Sequence, residues 1–133
     1  DIATLTGACI VALGNCAMGV MGNNEKLIEI IKEASSLSYE RVWELPLWDD
    51  YKEDIKSDIA DIKNIGSGSA GTIIGGIFLK EFVDEKTPWA HLDIAGTCWN
   101  EKKHDYFQKG PTGSGVRLMV EMMKIIAKKK RIS

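Results

Sequence analysis

Residues 89–95 constrain this chain more than any other stretch, because their side chains sort cleanly onto two sides of an extended backbone. Ala90, Leu92 and Ile94 fall on one face, and Trp89, His91 and Asp93 on the other, which is the two-residue period of a strand. Helical patterns flank it. Leu27, Ile28, Ile31 and Ala34 recur at helical spacing, with Asn23 or Asn24 placed to cap a helix running to about residue 38. Ile73, Ile74, Ile77, Phe78 and Phe82 form a second stripe behind a Gly/Ser loop. Val116, Met119, Val120, Met123 and Ile126 form a third, with Thr112 as the expected cap.

Further extended segments are expected at residues 1–6, 17–21 and 40–47, the last because Pro46 disfavours helix at Leu45. Residues 58–65 alternate polar and apolar, the pattern of a half-buried strand, and residues 49–55 read as a short acidic helix. Gly14, Gly19 and Gly22 predict tight turns and close backbone approaches rather than one long helix after Cys9. Strands alternating with helices imply an α/β layered domain. No internal repeat or low-complexity linker interrupts it.

At 133 residues the chain is the size of one domain, and 44% hydrophobic with 27% charged residues suits a soluble, core-forming protein. A formal net charge of -2 gives no electrostatic case for nucleic acid or an anionic membrane. The basic run at residues 128–131 reads as a solvated helix end. There is no apolar stretch of about 18 residues and no signal-peptide pattern. Cys9, Cys16 and Cys98 are widely spaced, with no Cys-x-x-Cys pair, which suits a reducing cytoplasm better than a disulfide scaffold. The first residue is not methionine, and residues 1–6 look like a strand already under way. A piece of a longer polypeptide is therefore expected, with strand edges that would stand uncovered if the piece were alone.

Taken by themselves, the residues compose no active site. The loop Gly66-Ser67-Gly68-Ser69-Ala70-Gly71-Thr72 invites an anion or nucleotide at a helix amino terminus. A phosphate-binding loop needs lysine where Gly71 stands, so structural packing is the better reading. His91 and His104 are thirteen residues apart, and Asp58 and Asp61 do not share a strand face. Asp93 reads as a satisfied structural carboxylate and His91 as a hydrogen-bonded core residue. No Gly-x-Ser-x-Gly elbow is present, and Cys98 has only remote histidines. No catalytic residue and no metal ligand is assigned within the chain.

Five ordered segments carry a resemblance. Asp1-Ile2-Ala3-Thr4-Leu5-Thr6-Gly7-Ala8 resembles the D-x-A-T-L-T-G-A segment of the leucyl (cytosol) aminopeptidase family. Residues 89–96, Trp-Ala-His-Leu-Asp-Ile-Ala-Gly, resemble that family's W-A-H-L-D-I-A-G strand. Residues 41–47 and 61–66 stand between them in the family's order, and Lys109-Gly110-Pro111-Thr112-Gly113 matches its closing K-G-x-T-G.

The resemblance implies that residues 1–133 are the carboxy-terminal portion of a peptidase catalytic domain, an incomplete three-layer α/β/α sandwich. It implies a complete enzyme that uses two divalent metal ions, zinc or manganese, to remove amino-terminal residues from peptides with a free amino terminus. It also implies a cytoplasmic homo-hexamer. The family's metal-binding lysine, aspartates and glutamate belong to segments that come before D-x-A-T-L-T-G-A, so this chain holds neither metal by itself. What carries over is the substrate side: Thr4, Leu5 and Gly7 match positions bordering the specificity pocket, and Ala95 and Cys98 match two more pocket-lining positions. Cys98 stands where methionine is common, leaving the pocket apolar but altering its size. Two other readings compete, a non-catalytic assembly segment and an anion- or nucleotide-binding α/β module.

Overall fold

The computed structural model describes residues 1–103 and 106–129. The strand expected at residues 89–95 is strand β4 (Ala90–Asp93), and it lies inside a four-stranded sheet. Strand β1 (Ile2–Ala3) pairs with it in parallel, Ile2 opposite Leu92 and Ala3 opposite Asp93. Strand β2 (Met18–Gly22) pairs with its other side antiparallel, Gly19 opposite Asp93. Strand β3 (Val42–Glu44) closes the order β1-β4-β2-β3 by pairing in parallel with β2.

Helices cover both faces. Helix α2 (Glu25–Ser38) and helix α4 (Val116–Lys128) pack Ile28, Ile31, Ala34, Leu118 and Ile125 against Met18, Val20, Ala90 and Leu92. On the opposite face lie helix α1 (Gly7–Leu13) and helix α3 (Gly71–Lys80). Here the sheet presents Gly19 to Cys9 and Met21 to Gly76. A Cβ at Gly76 would stand 2.6 Å from the Met21 sulfur, so glycine lets α3 approach the sheet closely. Ile74 and Ile77 of α3 share a second core with Ile55 from the 3₁₀ helix Asp49–Ile55. Each such side chain contributes about 1.5–3 kcal/mol of burial. The architecture is a mixed-sheet α/β/α layering, as expected from the sequence.

Local chemistry sets the element ends. Asn24 Oδ1 accepts the Leu27 N–H at 2.9 Å and starts α2, while Tyr39 ends it in the left-handed conformation, φ 59°. Thr6 leaves the first strand early to cap α1, accepting the Cys9 N–H at 3.1 Å. The glycine-punctuated stretch after Cys9 is thus a short helix and a turn.

Three expectations are corrected. Residues 58–65 form no strand: the Ser57 hydroxyl accepts the Ile59 and Ala60 N–H groups, and Ile59 is 98% exposed. A local side-chain acceptor holds these donors instead of a neighbouring strand. Thr112 does not cap α4. It belongs to the turn beside a small ladder, β5 (Trp99–Asn100) with β6 (Gly110–Pro111), and donates its hydroxyl to Thr97 O at 2.6 Å. The cap residue is Gly115, φ 92°, and the buried Glu40 carboxylate serves the helix, accepting from Gly115 N at 3.1 Å and Leu118 N at 2.7 Å. The α4 stripe is also rotated. Leu118 and Ile125 are buried, with Met119, Met122 and Ile126 packed beside them, whereas Val116, Val120 and Met123 are 63%, 43% and 56% exposed. Apolar residues occupy two faces of this helix, so periodicity admits either stripe.

In the stripe on α3, Ile74 and Ile77 are buried, while Phe82 lies beyond the helix end, exposed and edge-on to Phe78. Lys129 pairs with Glu33 at 3.1 Å. The remainder of the basic run, residues 130 and 131, lies outside the described residues, as does His104. Among the described residues, no helix is long and apolar enough to cross a membrane.

Candidate functional site

Because β1 and β4 run in parallel side by side, their carboxyl ends release two loops at one corner of the sheet, the place where α/β sheets bind ligands. The β1 loop carries Thr4 and Leu5 and leads into Gly7 at the start of α1, and the β4 loop carries Ala95 and Cys98. A single fully buried side chain joins them. Asp93 Oδ1 accepts the N–H groups of Leu5 and Ala95, each at 3.1 Å. Asp93 Oδ2 accepts the Thr6 N–H at 3.1 Å and its hydroxyl at 2.6 Å. Asp93 is the satisfied structural carboxylate that the sequence suggested, and its donors lie up to 88 positions away.

Each expected site residue has a definite place. Thr4, Leu5 and Gly7 are exposed, and Ala95 and Cys98 are partly buried. Leu5 packs toward α3, where a Cβ at Gly75 would stand 3.0 Å from its Cδ2. It lines a cavity of about 370 Å³ together with Thr6, Ile65, Gly71, Ile74 and Phe78. Thr4, Gly7, Ala95 and Cys98 stand outside that wall. Cys98 closes the turn after β4, its N–H on Ile94 O at 3.0 Å and its thiol on Ala95 O at 3.5 Å. The adjacent Gly96 is fixed by contact: a Cβ there would lie 2.0 Å from Gly14 O. A larger cavity, about 520 Å³, opens on the other side of the sheet near Cys16, Glu40, Thr97 and Arg117. None of the expected site residues lines it, and Glu40 is already committed to α4.

The loop at residues 66–70 leads into α3 and lines the Leu5 cavity through Gly66, Gly68 and Ser69. Ala70 starts α3 in the left-handed conformation with no side-chain cap, and a Cβ at Gly71 would lie 2.9 Å from Ala8 Cβ. Glycine there permits α1 and α3 to meet.

His91 is completely buried on the same sheet face as Asp93. Burial pushes its imidazole down to about 4, so the ring is neutral at pH 7. Nδ1–H therefore donates to Asp1 Oδ1 at 2.5 Å, while Asp1 Oδ2 accepts the Trp89 indole N–H at 2.6 Å. His91 Nε2 is a buried acceptor without a partner among the described residues. Burial, and then the Asp93 charge, raise the Cys9 thiol, which makes it an inert core group.

Among the described residues, no group of three or more His, Cys, Asp or Glu side chains could hold a metal ion. Asp93 directs both its oxygens at N–H and O–H donors that a cation would have to displace.

Sequence reasoning missed the reach of this network. Thr6 and Thr72, whose hydroxyls meet at 3.2 Å, tie the corner to the start of α3. A threonine after a strand signals a helix cap, but nothing local signals a partner at Thr72.

Residues 1–120 match the model of the cytosol aminopeptidase family, catalytic domain. The chain belongs to that family. Its cytosol-aminopeptidase relatives include a probable cytosol aminopeptidase of Geotalea uraniireducens, 60% identical over 124 residues. Another, from Geobacter sp. (strain M21), is 57% identical over 124 residues, covering 93% of this chain and 25% of the relative. The structure of a mutant of tomato leucine aminopeptidase superimposes with a TM-score of 0.85 at 45% identity. That alignment covers 92% of this chain and 23% of the tomato chain. The chain thus spans about a quarter of the length of the curated relatives it matches.

Proposed function

We propose that residues 1–133 are the carboxy-terminal portion of the catalytic domain of a leucyl aminopeptidase, and that they form one wall of its substrate pocket. The polypeptide carrying them removes amino-terminal residues from peptides with a free amino terminus. It works with two divalent ions, zinc or manganese, held by residues outside this chain. It acts as a cytoplasmic homo-hexamer, without nucleic acid or membrane partners.

The observation that carries this reading is the convergence of the two loops on Asp93 within a chain of this family. One carboxylate oxygen accepts the amides of Leu5 and Ala95, so an apolar side chain from each loop stands at the same corner. Such a surface accepts an apolar side chain. Ala95 presents only a methyl group, and Cys98 supplies a soft apolar edge.

The test is release of chromophore from leucine anilide in the presence of Mn²⁺ or Zn²⁺. The polypeptide that contains residues 1–133 is expected to turn over, and the metal-loaded 133-residue chain by itself is not. Stoichiometric binding of two metals with metal-dependent turnover by the short chain would refute this division of labour.

A further inference from the structure

The corner at the end of β4 holds a hydrogen-bond chain whose proton positions are all determined. As a carboxylate, Asp93 can only accept, so the Thr6 hydroxyl spends its single proton on Oδ2 at 2.6 Å. The Thr6 oxygen accepts the Cys9 N–H at 3.1 Å. The Thr72 hydroxyl, 3.2 Å away, must then donate to it as well. Every donor in the chain Thr72–Thr6–Asp93 points one way, and the side chains of Asp93 and Thr72 are buried from competing water. Charge-assisted bonds in such surroundings are short and directional.

The geometry selects what this chain of bonds fixes. Oδ1 bridges the Leu5 and Ala95 amides, one from each loop that borders the corner. Thr72 brings in the first turn of α3, which supplies the far wall of the Leu5 cavity through Gly71, Ile74 and Gly75. A carboxylate needed only to end a strand would require the bonds at Thr6 and Ala95, whereas this one also clamps the residue whose side chain lines the cavity.

We propose that Asp93 is a positioning residue for the substrate pocket, acting through Thr6 to set the spacing between Leu5 and the first turn of α3, with the Ala95 loop tied to the same carboxylate. This rests on the aminopeptidase reading above. Asp93 touches no substrate. Misplaced walls weaken binding of the substrate side chain in ground and transition states alike, which appears in KM with kcat retained.

The experiment uses the polypeptide that contains residues 1–133, loaded with Mn²⁺, assayed with leucine anilide. Thr6→Val keeps the shape and removes the hydroxyl. It is expected to raise KM roughly tenfold, the scale of losing one charge-assisted bond, with kcat within about twofold and metal content unchanged. Thr6→Ser restores the hydroxyl and is expected to return KM to the parent value. Thr72→Val removes only the outer hydroxyl and keeps the test readable should Thr6→Val fail to fold; a rise in KM of about threefold is expected. A lowered melting temperature with KM and kcat both unchanged would overturn the proposal, as would a fall in kcat accompanied by loss of metal. Absence of turnover by the parent polypeptide would instead sink the aminopeptidase reading, and this proposal with it.

Discussion

Glu40 offers the sharpest quantitative test of how α4 is held. Its side chain, 7% exposed, places Oε1 3.1 Å from Gly115 N and Oε2 2.7 Å from Leu118 N, with Arg117 Nε 3.7 Å from Oε1. Gly115 has no side chain with which to cap the helix, so Glu40→Ala leaves two amides at a buried helix start without their acceptor. A hydrogen bond to a charged group contributes about 1.5–3 kcal/mol. The two share one side chain, and water entering the vacated space recovers part of the loss, so the net cost is about 3 kcal/mol. Glu40→Gln keeps one acceptor oxygen but turns an amide N–H toward a backbone N–H, and is expected to cost about half as much. Hydrogen exchange reads this locally: at 1.4 kcal/mol per factor of ten, protection of the α4 amides should fall roughly a hundredfold. Protection within about twofold of the parent, or a loss spread evenly over all elements, would refute the reasoning.

In the active polypeptide, Cys98→Met should shift the kcat/KM ratio for leucine against smaller side chains by roughly 1–3 kcal/mol, while Cys98→Ala keeps turnover; a folded Cys98→Ala inactive on every substrate would rule out the pocket-wall role. His91 titrates near 4 in the fold against 6.5 ordinarily, so the unfolded chain binds more protons between these values. Its contribution is intact above pH 6.5 and is lost as pH falls toward 4. Urea midpoints should therefore drop over that window and the drop should flatten in His91→Gln; identical pH slopes would show the burial argument to be wrong. The 133-residue chain by itself should self-associate through the free edge of β1 and the exposed Val116, Val120 and Met123 face, as sedimentation across a concentration series would show. A monodisperse 14.7 kDa species would contradict this.

What was legible in the sequence was local. Strand β4 could be read because its two-residue period survives on both faces, and α2 because Asn24 and its apolar stripe agree. The satisfied state of Asp93 and the buried state of His91 followed from their place inside an apolar strand. The partners could not be read. Two of the three amides that Asp93 holds belong to a turn 87 and 88 positions away, and Glu40 reaches Leu118 across 78. No residue-type pattern near Gly115 announces an acceptor arriving from the far end of α2. The alternation at residues 58–65 misled for the converse reason: its period is that of a strand, but Ser57 takes two of its amides. For α4, two apolar faces compete, and only the position of the sheet decides between them.

The parallel pairing of β1 with β4 also dictates an order of events during synthesis. Strand β1 leaves the ribosome with its partner β4 almost ninety residues behind it. Helix α2 and strand β2 are close in sequence and can associate early, but Leu5 has no fixed place until residue 95 has emerged. Contacts of such long sequence separation form slowly and leave strand edges open meanwhile. The segment from Ile2 to Leu5 therefore waits for β4 while some ninety further residues are translated, and chaperones and proteases can meet it before that pairing forms.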